Sequence, residues 1–397
     1  MRGGGPGPQA SLYIHIPFCA GACDYCDFYS IPIRPDDRRI DGYVDAVIND
    51  LEKQTVRFGL GRIPTVYIGG GTPSLLGASR VERLLGGLES LGPFGEITVE
   101  ANPESAGEEF LRVCRDRGVG RISLGVQSFH GPSRRGVGRV GEGTPLPERL
   151  ALVSEYYGGS FSADLITGLP YQDESVVSRD IETLLSYGPG HVSLYALTVE
   201  GGTPLAEAVK GSPPGKPIPA GDEADRLWLT GGKVLEQAGY ARYEVSNFAL
   251  PGQRSAHNIR YWRMENWLGL GPGASGTLIN DETGTGRRYT VKPSVDAYMA
   301  GMGGPDLGPP LIEEELDSPT LIRESLLMGF RYIEGPDEAL FRRRFGGDIE
   351  ELIPESLSRW RARGLVRRDR AAPTPEGMLF LNPFLVDVFA ELERRGI

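Results

Sequence analysis

"SLYIHIPFCAGACDYCDF", residues 11–28, is the stretch from which the rest of the chain can be read. Its first half is a run of Leu, Tyr and Ile broken by Pro17, which predicts a β-strand over residues 11–18. Its second half carries three of the chain's four cysteines, Cys19, Cys23 and Cys26, at C-x-x-x-C-x-x-C spacing. Working outward, strands of the same kind recur: "TVYIGG" (65–70), "EITVEANP" (96–103), "RISLGVQS" (121–128), "FSADLITGLP" (161–170) and "HVSLYALTV" (191–199). Between them, residues 41–58, 79–91 and 173–188 place apolar side chains three and four apart, the helical period. Six strands alternating with helices predict an α/β fold of parallel strands joined by crossover helices. It is either a barrel, open or closed, or a doubly wound sheet. In both, ligands bind at the C-terminal ends of the strands.

The chemically suggestive residues fall at those ends. The cysteine loop follows the first strand, "GGGTP" (69–73) the second, "EANP" (100–103) ends the third and "QS" (127–128) the fourth; Asp164 and Ala196 lie in the fifth and sixth. Convergence of six strand ends on one mouth is stronger evidence than any single motif.

Composition narrows the function. With 42 Lys and Arg against 53 Asp and Glu in 397 residues, the formal charge is −11, which disfavours a generic nucleic-acid or anionic-lipid binder. No apolar run approaches the ~18 residues of a membrane span. "MRGGGPGPQA" lacks the apolar core of a secretion signal, so a cytoplasmic protein is expected. Four cysteines in a chain of this size are not a disulfide framework; clustered, they point to a metal or to catalysis.

Downstream, "KGSPPGKPIPAGD" (210–222) reads as a linker or loop, followed by a helix over 223–238 and a Gly-rich stretch "GLGPGASGT" (269–277). Pro272 interrupts any dinucleotide-loop reading of that stretch, which instead suggests close backbone approach to the barrel. From about 315 the pattern turns helical, over 319–331, 336–345 and 349–363, before a wing-like tail. The expected organisation is a flexible 1–10, a barrel over 11–210, a linker and extension over 211–314, and a mostly helical, winged-helix-like domain over 315–397.

Three thiolates decide between metals. Structural zinc wants four ligands, and the candidates for the fourth, His15 and Cys114, are poorly placed on a strand and in a helical segment. A zinc-stabilised barrel without redox chemistry remains one reading. Three thiolates on a [4Fe–4S] cube leave one iron open for an exchangeable ligand. That is the chemistry of a cluster that binds S-adenosylmethionine through its amino and carboxylate groups and gives it an electron. Phe18, Tyr25, Phe28 and Tyr29 would shield such a cluster from water.

This pattern is the radical S-adenosylmethionine signature. With "GGGTPS", "VEANP", "RISLGVQSF", "DLITGLP", "HVSLYALTVEGGTPL" and "YEVSNFA", the chain resembles the group that holds oxygen-independent coproporphyrinogen III oxidase and the haem-chaperone (HemW) branch. The resemblance runs from Ser11 into the C-terminal tail. It implies a partial (β/α)6 barrel. It also implies Tyr13 beside the nucleoside, Gly70, Gly71 and Thr72 at the methionine amino group, and Glu100 at the ribose or amino group. Gln127, Arg139, Asp164 and Ala196 match positions that contact a second cofactor molecule in the oxidase branch.

Two features separate the branches. The oxidase branch continues to C-x-x-x-C-x-x-C-x-C, where this chain has Phe28, and it carries a longer segment ahead of the motif. "HNIRYW" (257–262) matches the H-N-x-x-Y-W of the chaperone branch, which implies His257 as an axial ligand to haem iron, with Tyr261 and Trp262 over the porphyrin. Read alone, without the resemblance, His257 is a hydrogen-bonded loop histidine with Tyr261 and Trp262 in the core. Ser275 stands where the family usually has a histidine. The resemblance therefore implies a haem chaperone with a haem-acceptor protein, which could be membrane-associated. An electron donor such as a flavodoxin or ferredoxin, and a homodimer, are compatible with it. Decarboxylation of coproporphyrinogen III is the alternative. The arginines from Arg342 to Arg370 are read as charged helical faces, not as a nucleic-acid site.

Overall fold

Six strands run parallel through the centre of the protein: β1 (Ser11–Ile16), β2 (Thr65–Gly70), β3 (Glu96–Ala101), β4 (Arg121–Gln127), β5 (Phe161–Thr167) and β6 (His191–Ala196). Each pairs with the next in chain order. The computed structural model describes residues 9–139, 141, 145–210, 218–304 and 308–397. The expected flexible start therefore lies almost wholly outside the described residues, as does most of the 210–222 stretch.

The crossovers are α1 (Arg39–Phe58), α2 (Ala78–Leu88), α3 (Glu108–Asp116), α4 (Leu146–Tyr157) and α5 (Glu174–Leu185). α1 buries Ile40, Tyr43, Val44, Val47 and Leu51, the three-and-four spacing of one helical face, and stops where Gly59 takes a left-handed φ of 56°. α5 starts where the Asp173 carboxylate accepts from the Val176 amide. With helices outside and side chains filling the interior, the strands are buried on both faces, and one continuous core joins Ile14, Val66, Val99, Leu124, Ala163 and Val192 to the helices.

The sheet is wider than six strands. β7 (Ala241–Arg242), β8 (Asn247–Ala249), β9 (Trp267–Leu270), β10 (Ser275–Asn280), β11 (Thr285–Val291) and β12 (Leu311–Leu316) extend it to twelve, in the order β12-β11-β10-β9-β1-β2-β3-β4-β5-β6-β8-β7. Within the segment expected as a linker and extension over 211–314, the described residues form α6 (Asp222–Gln237) and then strands that join this sheet. The segment lays β9 parallel on β1 and β8 antiparallel on β6. The physical reason is that both outer strands of a six-stranded open barrel present unpaired backbone groups, which the chain covers with its own strands.

Beyond the sheet, α8 (Ser318–Gly329), α9 (Glu338–Phe345), α10 (Pro354–Ala362) and α11 (Leu381–Arg394) build a second core on Phe330, Trp360 and Phe384, whose rings meet edge to face. The sequence reading missed α11. The wing is reduced to a single bridge between Val366 and Pro373. Arg344 ties this unit to the barrel through Asp281 at 2.7 Å and the Met264 carbonyl at 2.7 Å. Among the described residues no helix is long and apolar enough to cross a membrane.

Candidate functional site

The cysteine loop is tied down at both ends and in the middle. Phe18–Cys19 pairs with Ile31–Pro32, closing the base of the loop. The Gly71 amide donates to the Ile16 carbonyl and the Thr72 amide to the Phe18 carbonyl, each at 2.8 Å, so the glycine strip is clipped to the strand that launches the loop. Gly71 is glycine for space: a Cβ there would stand 2.7 Å from the Phe18 oxygen and 2.8 Å from the Ile16 oxygen. Midway, the Asp24 amide donates to Val137 and the Asp24 carbonyl accepts from Leu205.

The loop roofs a cavity of about 690 Å³ at the C-terminal ends of the strands. Cys19, Cys23, Cys26, Gly70, Gly71, Thr72, Glu100, Gln127, Arg139, Asp164 and Ala196 all line it. Two of the thiols have side-chain donors: the Thr72 hydroxyl on Cys19 Sγ at 3.6 Å and the Arg139 guanidinium on Cys23 Sγ at 3.7 Å. Burial pushes the Cys26 thiol up, against a bond from the Phe28 amide. Gln127 takes a left-handed φ of 70° where β4 is bulged, a strained conformation for a residue with a side chain.

The two carboxylates are held close to neutral. Burial pushes Glu100 up to about 7, with Asp164 adding to the rise, although the Tyr67 hydroxyl (2.7 Å) and the Gly70 amide (3.0 Å) donate to it. Burial likewise pushes Asp164 up to about 6, against hydrogen bonds from Ser193 and Ser123. Carboxylates held in this way favour a cationic guest.

Two of the expected site residues are elsewhere. Tyr13 does not face the cysteine cavity. It borders a second cavity, of about 310 Å³, with Tyr67, His257, Tyr261, Trp267 and Ser275. The interior is layered, and the Tyr67–Glu100 pair forms the layer between the two cavities, with Tyr13 stacked on Tyr67 from the far side. His15 does lie beneath the cysteine site. Burial lowers its pKa, and Nε2 donates to the Tyr29 carbonyl at 2.8 Å, leaving Nδ1 to accept from Tyr13 at 3.0 Å.

His257, expected as an iron ligand, lines the second cavity and not the cysteine cavity. It sits on α7 (Ala256–Trp262), at the N-terminal end of the barrel where β1, β2 and β3 begin, and is 1% exposed. Its amide donates to Glu96, and its Nδ1 meets Thr65 Oγ1 at 2.8 Å. Thr65 gives its own proton to Ser11, so Nδ1 is the donor, and Nε2 then accepts from the Tyr261 hydroxyl at 3.1 Å. Burial pushes the imidazole down to about 3, so it stays neutral with both nitrogens engaged. Tyr261 packs edge-on against His257, and Trp262 packs with Tyr243, Ala249 and Tyr332.

The residues present fit an iron–sulfur cluster and S-adenosylmethionine better than zinc. Among the described residues no three Cys, His, Asp or Glu side chains converge as a single ion requires. A cube spreads its three thiolates over three irons. Arg139 Nε is a buried donor without a partner at the cavity wall, which suits an absent acceptor. Gly70 and Gly71 leave backbone open to a ligand, and Glu100 and Asp164 suit its positive charge. Asn102 and Tyr67 also belong to this site, and only their place in "EANP" and "TVYIGG" signals them in the sequence.

Comparison with known proteins places these features in a family. A model of the radical SAM superfamily matches residues 13–184, and a model of the HemN C-terminal domain matches 316–380. The heme chaperone HemW of Escherichia coli (strain K12) is 34% identical over 396 residues, covering 97% of this chain and 99% of the relative. HemW of Lactococcus lactis subsp. lactis (strain IL1403) is 33% identical, covering 91% of each chain. HemW of Bacillus subtilis (strain 168) is 31% identical, covering 96% of this chain and all 100% of the relative. Among solved structures, Escherichia coli coproporphyrinogen III oxidase (HemN), a radical SAM enzyme, superposes with a TM-score of 0.79 over 96% of this chain and 90% of its own, at 22% identity, which shows a shared fold.

Proposed function

Because the chain belongs to the HemW family of radical S-adenosylmethionine proteins, we propose that it is a haem chaperone, which binds haem and passes it to an acceptor protein. Cys19, Cys23 and Cys26 hold a [4Fe–4S] cluster, and S-adenosylmethionine binds beside it. When bound, the cluster supplies an electron to the sulfonium of that cofactor. The chain's own residues do the rest. Gly70, Gly71 and Thr72 receive the methionine end on open backbone. Glu100 takes the ribose or the ammonium, while Gln127, Arg139, Asp164 and Ala196 form the opposite wall.

The observation that carries the chaperone reading over the oxidase is Phe28. At the position of the oxidase branch's further cysteine, this side chain stands 66% exposed on the lip of the cysteine cavity. With Tyr195 and Leu197, which line the same cavity, it offers a flat apolar guest contact, where a cysteine would offer another thiolate. The proposal puts haem at this mouth, which Phe28, Tyr195 and Leu197 line, in preference to the buried His257. The acceptor, the electron donor (of flavodoxin or ferredoxin type) and a dimer are part of the same proposal, as is work in the cytoplasm.

Anaerobically reconstituted protein titrated with haem tests this. A Soret band that stays with the protein through desalting and moves to an added apo-acceptor is the expected result. Conversion of coproporphyrinogen III to protoporphyrinogen IX, with 5′-deoxyadenosine formed and no stable haem complex, would overturn it.

A further inference from the structure

Asn102 stands between two of the donors that reach the cysteines. Its Oδ1 accepts from Arg139 at 2.8 Å and its Nδ2 donates to Thr72 Oγ1 at 3.0 Å. The direction of this chain is forced. A guanidinium has no acceptor, so only the amide oxygen can face Arg139, and the NH₂ must face Thr72. With Asn102 donating to it, the Thr72 hydroxyl keeps its own proton for Cys19 Sγ, 3.6 Å away. At the other end, Arg139 is anchored by the Gly125 carbonyl at 2.7 Å as well as by Asn102, both through one terminal nitrogen, and turns its other terminal nitrogen to Cys23 Sγ at 3.7 Å. The Asn102 backbone is itself fixed: its amide donates to Ser74 Oγ, and its carbonyl accepts from the Ser105 and Ala106 amides. Gly125 leaves the room: a Cβ there would lie 3.0 Å from Asn102 Oδ1 and 3.3 Å from the Arg139 guanidinium.

We propose that Asn102 is a positioning residue that sets the reduction potential of the cluster, by aiming Thr72 at Cys19 and Arg139 at Cys23. Hydrogen bonds to cluster sulfurs favour the reduced, more negative state, and the groups that orient the donors tune the metal through them. The proposal rests on the cluster sitting on Cys19, Cys23 and Cys26. Asn102 also lines the cavity, so a role in holding S-adenosylmethionine must be separated from this one.

The test is a potentiometric titration of the reconstituted cluster, followed by electron paramagnetic resonance without S-adenosylmethionine. Asn102→Leu, with iron and sulfide content matching wild type, is expected to shift the midpoint to more negative values. The reduced-to-oxidised ratio at a fixed poise falls about tenfold, which for a one-electron couple is about 59 mV. In a Thr72→Ala background the same substitution shifts it less, because one of the two donors is already gone. Asn102→Asp, which keeps the Arg139 contact but cannot donate to Thr72, is the variant to use if the leucine prevents assembly, and it too moves the midpoint negative. A loaded variant with the wild-type midpoint, or an equal shift in both backgrounds, overturns the proposal. If wild-type protein assembles no cluster, it is the underlying cluster assignment that fails.

Discussion

His257→Leu separates the two roles that the H-N-x-x-Y-W motif can be given. The substitution keeps the ring's bulk approximately but removes two hydrogen bonds, Nδ1 to Thr65 and Nε2 to Tyr261. A buried polar partner left unsatisfied costs about 1–3 kcal/mol. Two mitigations apply. Thr65 keeps its bond to Ser11, and Tyr261 borders a cavity that water can enter. The sum is therefore about 1–3 kcal/mol for the pair and not twice that. The substitution falls where three strands begin, so the loss is expected in the cooperative unfolding of the barrel, as a fall in melting temperature of about 1–5 °C. Haem is expected to bind the folded variant with the wild-type Soret maximum and affinity. Calorimetry and haem titration on one preparation check both halves. A variant as stable as wild type that loses or shifts its Soret band would refute the reasoning, because it would mean that the imidazole leaves this pocket to reach iron.

Gly71→Ala is expected to reduce cluster content severalfold without unfolding the chain, since the new Cβ meets backbone and not a movable side chain; iron assay beside circular dichroism checks this. Affinity for S-adenosylmethionine is expected to rise with pH between roughly 5.5 and 7.5, because Asp164 at about 6 and Glu100 at about 7 lose their protons there and the ionised forms attract the cation. Calorimetry in two buffers would register proton release, and Glu100→Gln would flatten the upper part of the profile. The same raised values act oppositely on the ligand-free fold. Their contribution to stability is complete below the unfolded carboxylate pKa of about 4 and is lost as pH climbs through 6 and 7. Arg344→Leu removes the bonds to Asp281 and to the Met264 carbonyl; a cost of about 1–3 kcal/mol at that contact should let protease reach the C-terminal helices before the barrel. Phe28→Ser is expected to weaken haem binding and leave iron content unchanged, which paired haem and iron titrations would show.

What could be read from the chain depended on how local each signal is. The six parallel strands were legible because each is a short apolar run closed by Gly, Pro or a polar residue. Most of their observed limits fall within a few residues of those runs; Phe161–Thr167 lies inside the "FSADLITGLP" stretch. α11 was missed because Pro383 lies in its first turn, where proline is tolerated, and because no stretch of sequence announced it after the wing. The sheet's extra strands were missed for a different reason. Runs such as Asn247–Ala249 are too short to carry a period, and they exist because β6 has an edge to cover.

The sequence by itself determined the cysteine loop, the six parallel strands and the mouth at which eleven of the thirteen expected site residues meet. Those depend on residue type and on the rule that parallel strands deliver their C-terminal ends to one side. Tertiary structure decided what each side chain faces. Tyr13 lies only two residues before His15 on one strand, yet the Tyr67–Glu100 layer cuts it off from the cysteine cavity. The chain after residue 250 could have returned to either end of the barrel. It goes to the N-terminal end, where Glu96, Thr65 and Ser11 satisfy α7, and so His257 becomes a buried stitch. Asn102 was inconspicuous in sequence because its importance is relational: it matters only once folding has brought Thr72 and Arg139 to either side of one amide.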